Sequence, residues 1–376
     1  MAETTQPRLT ALTSARFFAA FYVLLFHMVA MRGLMWAPRW WQTFAGAGFV
    51  AVTFFFVLSG FILVYTYAGK SFDLRRFWRA RLARLYPVYL LSLLVSAPLF
   101  FYALTHFDIP VFEWAKAHLG ATVVLVLAML QAWVPGTAMA WNGVAWAVSV
   151  EIFFYVLFPL LLRRFGRLSN RALAIVCVVS WAAALTLADV YVLRTPDYFE
   201  ADPDQSGFWL NALKFNPLVR LPEFMIGVAC GFWFQRGNHN PRLGTPLVLG
   251  GTAAALVTTA FSPLIPYPVM HTGLYAPAFA AIICGLALRP RWSSFLEARW
   301  LVLLGEASYC LYMFHTLFLG AFIYMATVLG PLPFRLVAGT ATALVVAVLI
   351  FRYVEEPARR RLRGRPQKTV AAVVSP

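Results

Sequence analysis

Arg16 and His27 stand eleven residues apart in an otherwise apolar stretch. On a helix that spacing is about three turns, so the two side chains share nearly one face and lie about 16 Å apart along the axis. Ionisable groups inside a membrane helix are costly and by default face the protein interior. The pair therefore marks either a polar path through the bilayer or, more plainly, a snorkelling arginine and a hydrogen-bonded structural histidine. A neutral imidazole near the midplane has two chemical uses: it removes a proton from an attacking hydroxyl, or it carries the transferred group itself. Glu151, in WAVSVEIFFY beside Trp146 and Ser149, reads as the carboxylate that accepts the second ring N–H of His27, or else as a helix-cap or packing residue.

The loop RRFWRARLARLYP carries Arg81 and Arg84 three residues apart, with Arg75, Arg76 and Arg79 behind them. Guanidinium forks grip phosphate bidentately, so this is either a dock for a phosphorylated cofactor or a topology signal that also meets anionic lipid. Ser59, in FFFVLSGFIL, either permits close helix packing or turns its hydroxyl into a reaction cavity. Arg220 and Glu223, in VRLPEFMIG, read as a structural ion pair or a substrate site. In LGEASYCLYMFHTLF, Ser308, Tyr312 and His315 follow i, i+4, i+7 along one helix face. Ser59, Tyr312 and His315 are the donors nominated for a developing oxyanion. His271 begins another apolar stretch and is expected at the interface. There is no HExxH, Cys/His cluster or EF-hand loop, so no metal is expected, and Walker A, Rossmann and GxSxG patterns are absent.

Helices must position these groups. Of the 376 residues 61% are hydrophobic and 12% charged, against about 25% charged in ordinary soluble domains, which excludes a water-soluble globule. Ten stretches of about 20 apolar residues can cross a hydrocarbon core, roughly 10–31, 44–68, 85–104, 145–162, 172–193, 216–234, 244–265, 271–288, 300–326 and 334–354. The expected fold class is all-α, a polytopic membrane bundle. The first stretch is long enough to span and holds two ionisable groups, so a cleavable signal peptide is not expected. Cys177, Cys230, Cys284 and Cys310 all lie in apolar runs and say nothing of redox compartment. The net charge of +16 is divided among short loops, which argues for positive-inside clusters and against nucleic acid.

Those clusters run from Lys70 to Arg84, Arg163 to Arg171, Arg236 to Arg242, Arg289 to Arg299 and Arg359 to Lys368. If all are cytoplasmic, successive clusters are separated by an even number of crossings. The apolar stretch 119–134 is then re-entrant or interfacial, both termini face the cytoplasm, and the acidic run Asp197, Glu200, Asp202 and Asp204 lies outside, as does the loop around His106 and Glu113. One membrane domain is expected over 1–362, with a basic cytoplasmic tail at 363–376 and no separate soluble domain.

Taken in order, these fragments resemble the membrane-bound acyltransferase-3 family from about residue 8 to about residue 362. The resemblance is carried by Arg16 with ten residues before His27, FFFVLSGF, Arg81-x-x-Arg84 followed by Tyr86-Pro87, WAVSVEIFFYVLFP, RLPEFMIG, LGEASYCLYMFH and Glu355-Glu356-Pro357. It implies a ten-span inner-membrane enzyme that moves an acyl group, usually acetyl, from cytoplasmic acyl-CoA to a hydroxyl of a carbohydrate or other envelope-associated acceptor. Some members acylate macrolides or transfer succinyl groups. It further implies that His27 is the essential imidazole, Arg16 its same-helix partner, and Arg81 and Arg84, with Arg79 nearby, part of the coenzyme A site. Glu151 matches the glutamate of a Trp-Ser-x-x-x-Glu segment, in which Ala147 here replaces the serine. Some members append an extracytoplasmic domain after the last span; none is expected here, so acceptor recognition is expected from the membrane domain or a partner. The competing class is a non-enzymatic transporter or flippase, which also uses intramembrane His, Glu and Arg, although no repeated half or paired broken spans are visible.

Overall fold

An apolar chain in hydrocarbon has to satisfy every backbone N–H and C=O internally, which leaves helices as the available solution for these stretches. The computed structural model describes residues 7–31, 33–107, 112–195, 207–237, 239–324 and 330–362. Among them no strand occurs, and nine helical segments are long and apolar enough to cross a membrane, or ten when one bent pair is taken as a single span. Over the described residues each of the ten expected crossings is largely helical. The acidic run Asp197, Glu200, Asp202 and Asp204 and the tail 363–376 lie outside the described residues.

The chain opens with α1 (Thr10–Ala30), a short α2 (Arg39–Gly46) and α3 (Ala51–Tyr67), then α4 (Leu74–His106), a 33-residue helix started by the Asp73 side chain, which accepts from the Arg76 N–H. Two short helices follow, α5 (Glu113–Ala117) and α6 (Leu119–Leu127), and then an irregular segment reaching α7 (Trp146–Phe165). Next come α8 (Asn170–Arg194), α9 (Phe208–Phe215), α10 (Pro217–Arg236), α11 (Gly244–Ala260), the single turn α12 (Tyr267–His271) and α13 (Ala276–Ala287). The chain closes with α14 (Arg299–Glu306), α15 (Ser308–Tyr324), α16 (Leu332–Ile350), a π-helical turn Phe351–Glu355 and α17 (Glu356–Leu362).

The stretch 119–134 is not one spanning-length helix: its helix stops at Leu127, and the chain continues as an irregular wall buried in protein. Backbone at that depth must find partners. Gln131 donates to the Tyr89 hydroxyl at 3.2 Å and the Ala145 carbonyl at 3.0 Å, Thr137 donates to Gln131 O at 2.9 Å, and Asn142 donates to Met313 O at 3.0 Å. Helix α7 therefore starts inside the bundle, not at its surface. The expected span 300–326 is bent by 67° between Glu306 and Ser308. Small residues let helices touch: Gly60 and Gly227 bring α3 and α10 backbone to backbone, and a Cβ on Gly227 would sit 1.9 Å from the Val57 carbonyl oxygen.

Candidate active site

Two cavities lie end to end in the bundle, and α1 runs past both. The first, about 160 Å³, is walled by Arg16 of α1, Ser59 of α3, Arg81 and Arg84 of α4, Glu151 of α7, and Ser308 and Tyr309 of α15, among apolar neighbours. Three guanidinium groups thus share this arginine cavity with one carboxylate. Arg81 is buried against the rings of Tyr67, Phe77 and Tyr155, 5.7–5.8 Å away, and donates to the Tyr67 hydroxyl at 3.4 Å. Arg16 and Arg84 are within electrostatic reach of Glu151 and Glu355 but donate no hydrogen bond among the described residues. The π-helical turn delivers Glu355, whose carboxylate accepts from Cys310 Sγ at 3.3 Å and Arg359 at 3.4 Å. Arg79 is exposed on α4 and does not line the cavity.

The second cavity, about 210 Å³, is walled by His27 of α1, Phe49 just before α3, Met139 and Val144 of the irregular segment, Trp146 of α7, Lys214 and Phe215 of α9, Tyr267 and His271 of α12, and Thr316 of α15. Val52 and Tyr312 line both cavities and so form the partition between them. The Tyr312 hydroxyl donates to the Val144 carbonyl at 2.9 Å.

Hydrogen bonding assigns the His27 tautomer. Its Nδ1 lies 2.9 Å from the Val23 carbonyl oxygen, which can only accept, so Nδ1 carries the proton. His315 Nδ1 lies 2.8 Å from Tyr312 O and 3.2 Å from Leu311 O, so it too is a donor, and His315 Nε2 keeps a lone pair. That lone pair is 3.0 Å from His27 Nδ1, which therefore shares its proton between Val23 O and His315. His27 Nε2 is left as the basic nitrogen.

The expected partner of His27 is corrected here. Glu151 lies in the other cavity, accepting hydrogen bonds from Ser59 at 3.4 Å and from Tyr155. Because α7 starts within the bundle, Trp146 reaches the histidine cavity, and Glu151, five residues and about 7.5 Å further on, faces the arginines. An imidazole occupies the place expected for a carboxylate. The polar stripe on α15 divides accordingly, with Ser308 in the arginine cavity, Tyr312 at the partition and His315 behind His27. Ser59 turns its hydroxyl into the cavity while its neighbour Gly60 makes the helix contact.

His271, expected at the interface, is instead buried at 6% exposure. Arg220 and Glu223 line neither cavity; they pair at 3.0 Å with side chains 1% and 2% exposed, behind His271. Lys214 was not singled out by the sequence reading. It is buried above the rings of Phe215 and Tyr267, and a lysine inside FWLNALKF was its only signal. Among the described residues no three of His, Cys, Asp and Glu gather as metal ligands.

The fold is thus a helical membrane bundle that holds a cationic cavity and an imidazole cavity in series. Residues 9–352 match the acyltransferase-domain family, and the chain belongs to it: it is a multi-pass membrane acyltransferase, as the sequence resemblance implied. It is 28% identical to acyltransferase MdmB of Streptomyces mycarofaciens, over 82% of this chain and 78% of that one. It is 23% identical to O-acetyltransferase OatA of Staphylococcus aureus (strain NCTC 8325 / PS 47), over 94% of this chain and 57% of the relative. It is 22% identical to peptidoglycan O-acetyltransferase OatA of Listeria monocytogenes, over 85% and 52%. The chain thus spans little more than half the length of the OatA relatives. No solved structure matches it.

Proposed function

We propose that this enzyme moves an acyl group, acetyl in the simplest case, from cytoplasmic acyl-CoA to a hydroxyl of a carbohydrate or glycosylated acceptor at the inner membrane, with His27 as general base. The observation that carries the reading is the serial arrangement of the two cavities along α1. The arginine cavity is read as the cytoplasmic one, with both termini on that side.

The residues present suit an anionic thioester carrier. Arg16, Arg81 and Arg84 outnumber Glu151, and Arg81 Nε and Ser308 Oγ are buried there without a hydrogen-bond partner. Arg75, Arg76 and Arg79, exposed earlier on α4, add cations outside the cavity. Arg16 and His27 are about 16 Å apart along α1. A phosphopantetheine arm has about thirteen bonds between phosphorus and sulfur, or about 15 Å extended at about 3.5 Å per three bonds. Phosphate held at Arg16 therefore sets the thioester near His27, past the partition at Tyr312 and Val52.

His27 Nε2 takes the proton of the acceptor hydroxyl as that oxygen attacks the thioester carbonyl, a contribution of about 10²–10⁴-fold. It returns the proton to the thiolate when the C–S bond breaks. The name of the Listeria relative supports a carbohydrate acceptor, and Phe49, Trp146, Phe215 and Tyr267 supply the apolar faces against which a sugar ring packs.

The test is acyl transfer in membranes carrying His27→Ala, with abundance measured in parallel. Transfer is expected to fall at least 10²-fold at normal abundance, and full activity would refute the assignment of His27.

A further inference from the structure

Attack on a thioester puts negative charge on the carbonyl oxygen, and a donor must already point at it. The three donors nominated from sequence have their protons committed: Ser59 to Glu151, Tyr312 to the Val144 carbonyl, and His315 to the carbonyls of Leu311 and Tyr312. His271 does not share this difficulty. It lines the same cavity as His27, and its Nδ1 lies 3.3 Å from Arg220 Nη1. A guanidinium only donates, so Nδ1 accepts, and the ring is a neutral imidazole with its proton on Nε2. The two histidines of one cavity therefore hold opposite tautomers: His27 offers a lone pair at Nε2, His271 an N–H.

The surrounding structure locks that state. Arg220 is held by Glu223 at 3.0 Å and by the Thr53 hydroxyl at 3.3 Å, and Thr53 donates to Glu223 at 3.2 Å. Phe49 stacks on the His271 ring at 5.4 Å, while Phe215 and Tyr267 meet it edge-on at 5.8 and 5.7 Å. Gly273, with φ +85°, closes the turn after His271 against the Glu223 carboxylate, where a Cβ would sit 2.6 Å from Oε1.

We propose that His271 Nε2–H is the oxyanion donor of the acyl transfer, set by the Thr53–Arg220–Glu223 network; this rests on the reading of His27 as base. In the step, the hydroxyl oxygen bonds to the carbonyl carbon while its proton passes to His27 Nε2, and the carbonyl π pair moves onto the oxygen held by His271. Collapse re-forms the carbonyl and breaks the C–S bond, and the thiolate takes the proton from His27.

The experiment compares His271→Ala, His271→Gln and His27→Ala in the purified full chain, measuring kcat and both KM values with acetyl-CoA and a glycan acceptor, alongside thermal stability. His271→Ala is expected to lower kcat by about 10²–10³-fold with KM little changed, and His271→Gln, which keeps an N–H, to recover at least tenfold. A kcat loss below tenfold, a loss carried by KM alone, or no recovery in the glutamine variant overturns the proposal. If His27→Ala is inactive while His271→Ala is active, only the His271 role falls; if His27→Ala is active, the general-base reading itself fails. Should the His271 variants not fold, ¹⁵N-histidine spectra of the unaltered protein decide: an Nε2–H tautomer at His271 is expected, and an Nδ1–H tautomer overturns the assignment.

Discussion

At the residue scale the proposed chemistry turns on where the ring protons of His27, His315 and His271 sit. His27 keeps its proton on Nδ1 because Val23 O and His315 Nε2 both face that nitrogen, and this frees Nε2 as a base. In the proposed mechanism His315, which does not line the histidine cavity, acts through His27 and is a positioning residue. Replacing the hydrogen-bond partner that orients a metal-bound histidine costs about 10–100-fold, and a comparable loss is expected for a partner that orients a reactive imidazole. His315→Ala is accordingly expected to lower kcat by about that factor with the KM for acyl donor unchanged, whereas a change confined to KM would place His315 in binding. Much of this was legible as residue types, since His27, His315, Arg220 and Glu223 all stood out as costly intramembrane groups. Their pairing was not, because Glu151 and His315 are equally polar in a linear reading, and only the depth at which α7 begins decides which of them meets His27.

At the scale of elements, α1 holds the two cavities in register, and the close crossing of α3 on α10 holds the pocket walls together. Gly227 stands where no Cβ fits. Gly227→Ala forces the helices apart and is expected to cost about 1–3 kcal/mol of stability, read as a lower melting temperature in detergent together with reduced abundance. An unchanged melting temperature would mean the crossing is slack. The irregular segment before α7 has the opposite character. It carries Gln131, Thr137 and Asn142 buried at 0–3% exposure, each bonded to backbone or side chain of its neighbours. Removing Gln131 leaves the Tyr89 hydroxyl and the Ala145 carbonyl without their donor, so Gln131→Leu is expected to destabilise by about 1–3 kcal/mol, measurable by the same melt. Sequence singled out this stretch as re-entrant or interfacial, through the parity of charged loops. It carried no sign that the segment becomes a wall of the histidine cavity.

For the whole molecule, the proposal is a bundle with a polar route from one face to an imidazole at depth. Arg81→Ala combined with Arg84→Ala removes charge-assisted contacts worth about 1.5–3 kcal/mol each. The KM for acyl-CoA should therefore rise by at least about tenfold, with the acceptor KM unaltered; an unchanged donor KM would leave these arginines to topology. Sidedness is open to direct measurement, since Arg79 is exposed on α4. Arg79→Cys is expected to react with an impermeant thiol reagent only when the cytoplasmic face is accessible, and labelling from outside intact cells would reverse the assigned orientation.

The nine or ten apolar spans among the described residues, the family and the identity of most polar groups followed from the linear sequence, because bilayer thickness demands runs of about 20 apolar residues and makes each buried charge conspicuous. What only the tertiary structure decided was partnership. Which imidazole faces which carbonyl, that Glu151 belongs with the arginines, and that His271 is backed by Arg220 all depend on how helices distant in sequence are rotated and offset. A shift of one residue turns a side chain by about 100° and moves it about 1.5 Å, a displacement that hydropathy does not register and hydrogen bonding does.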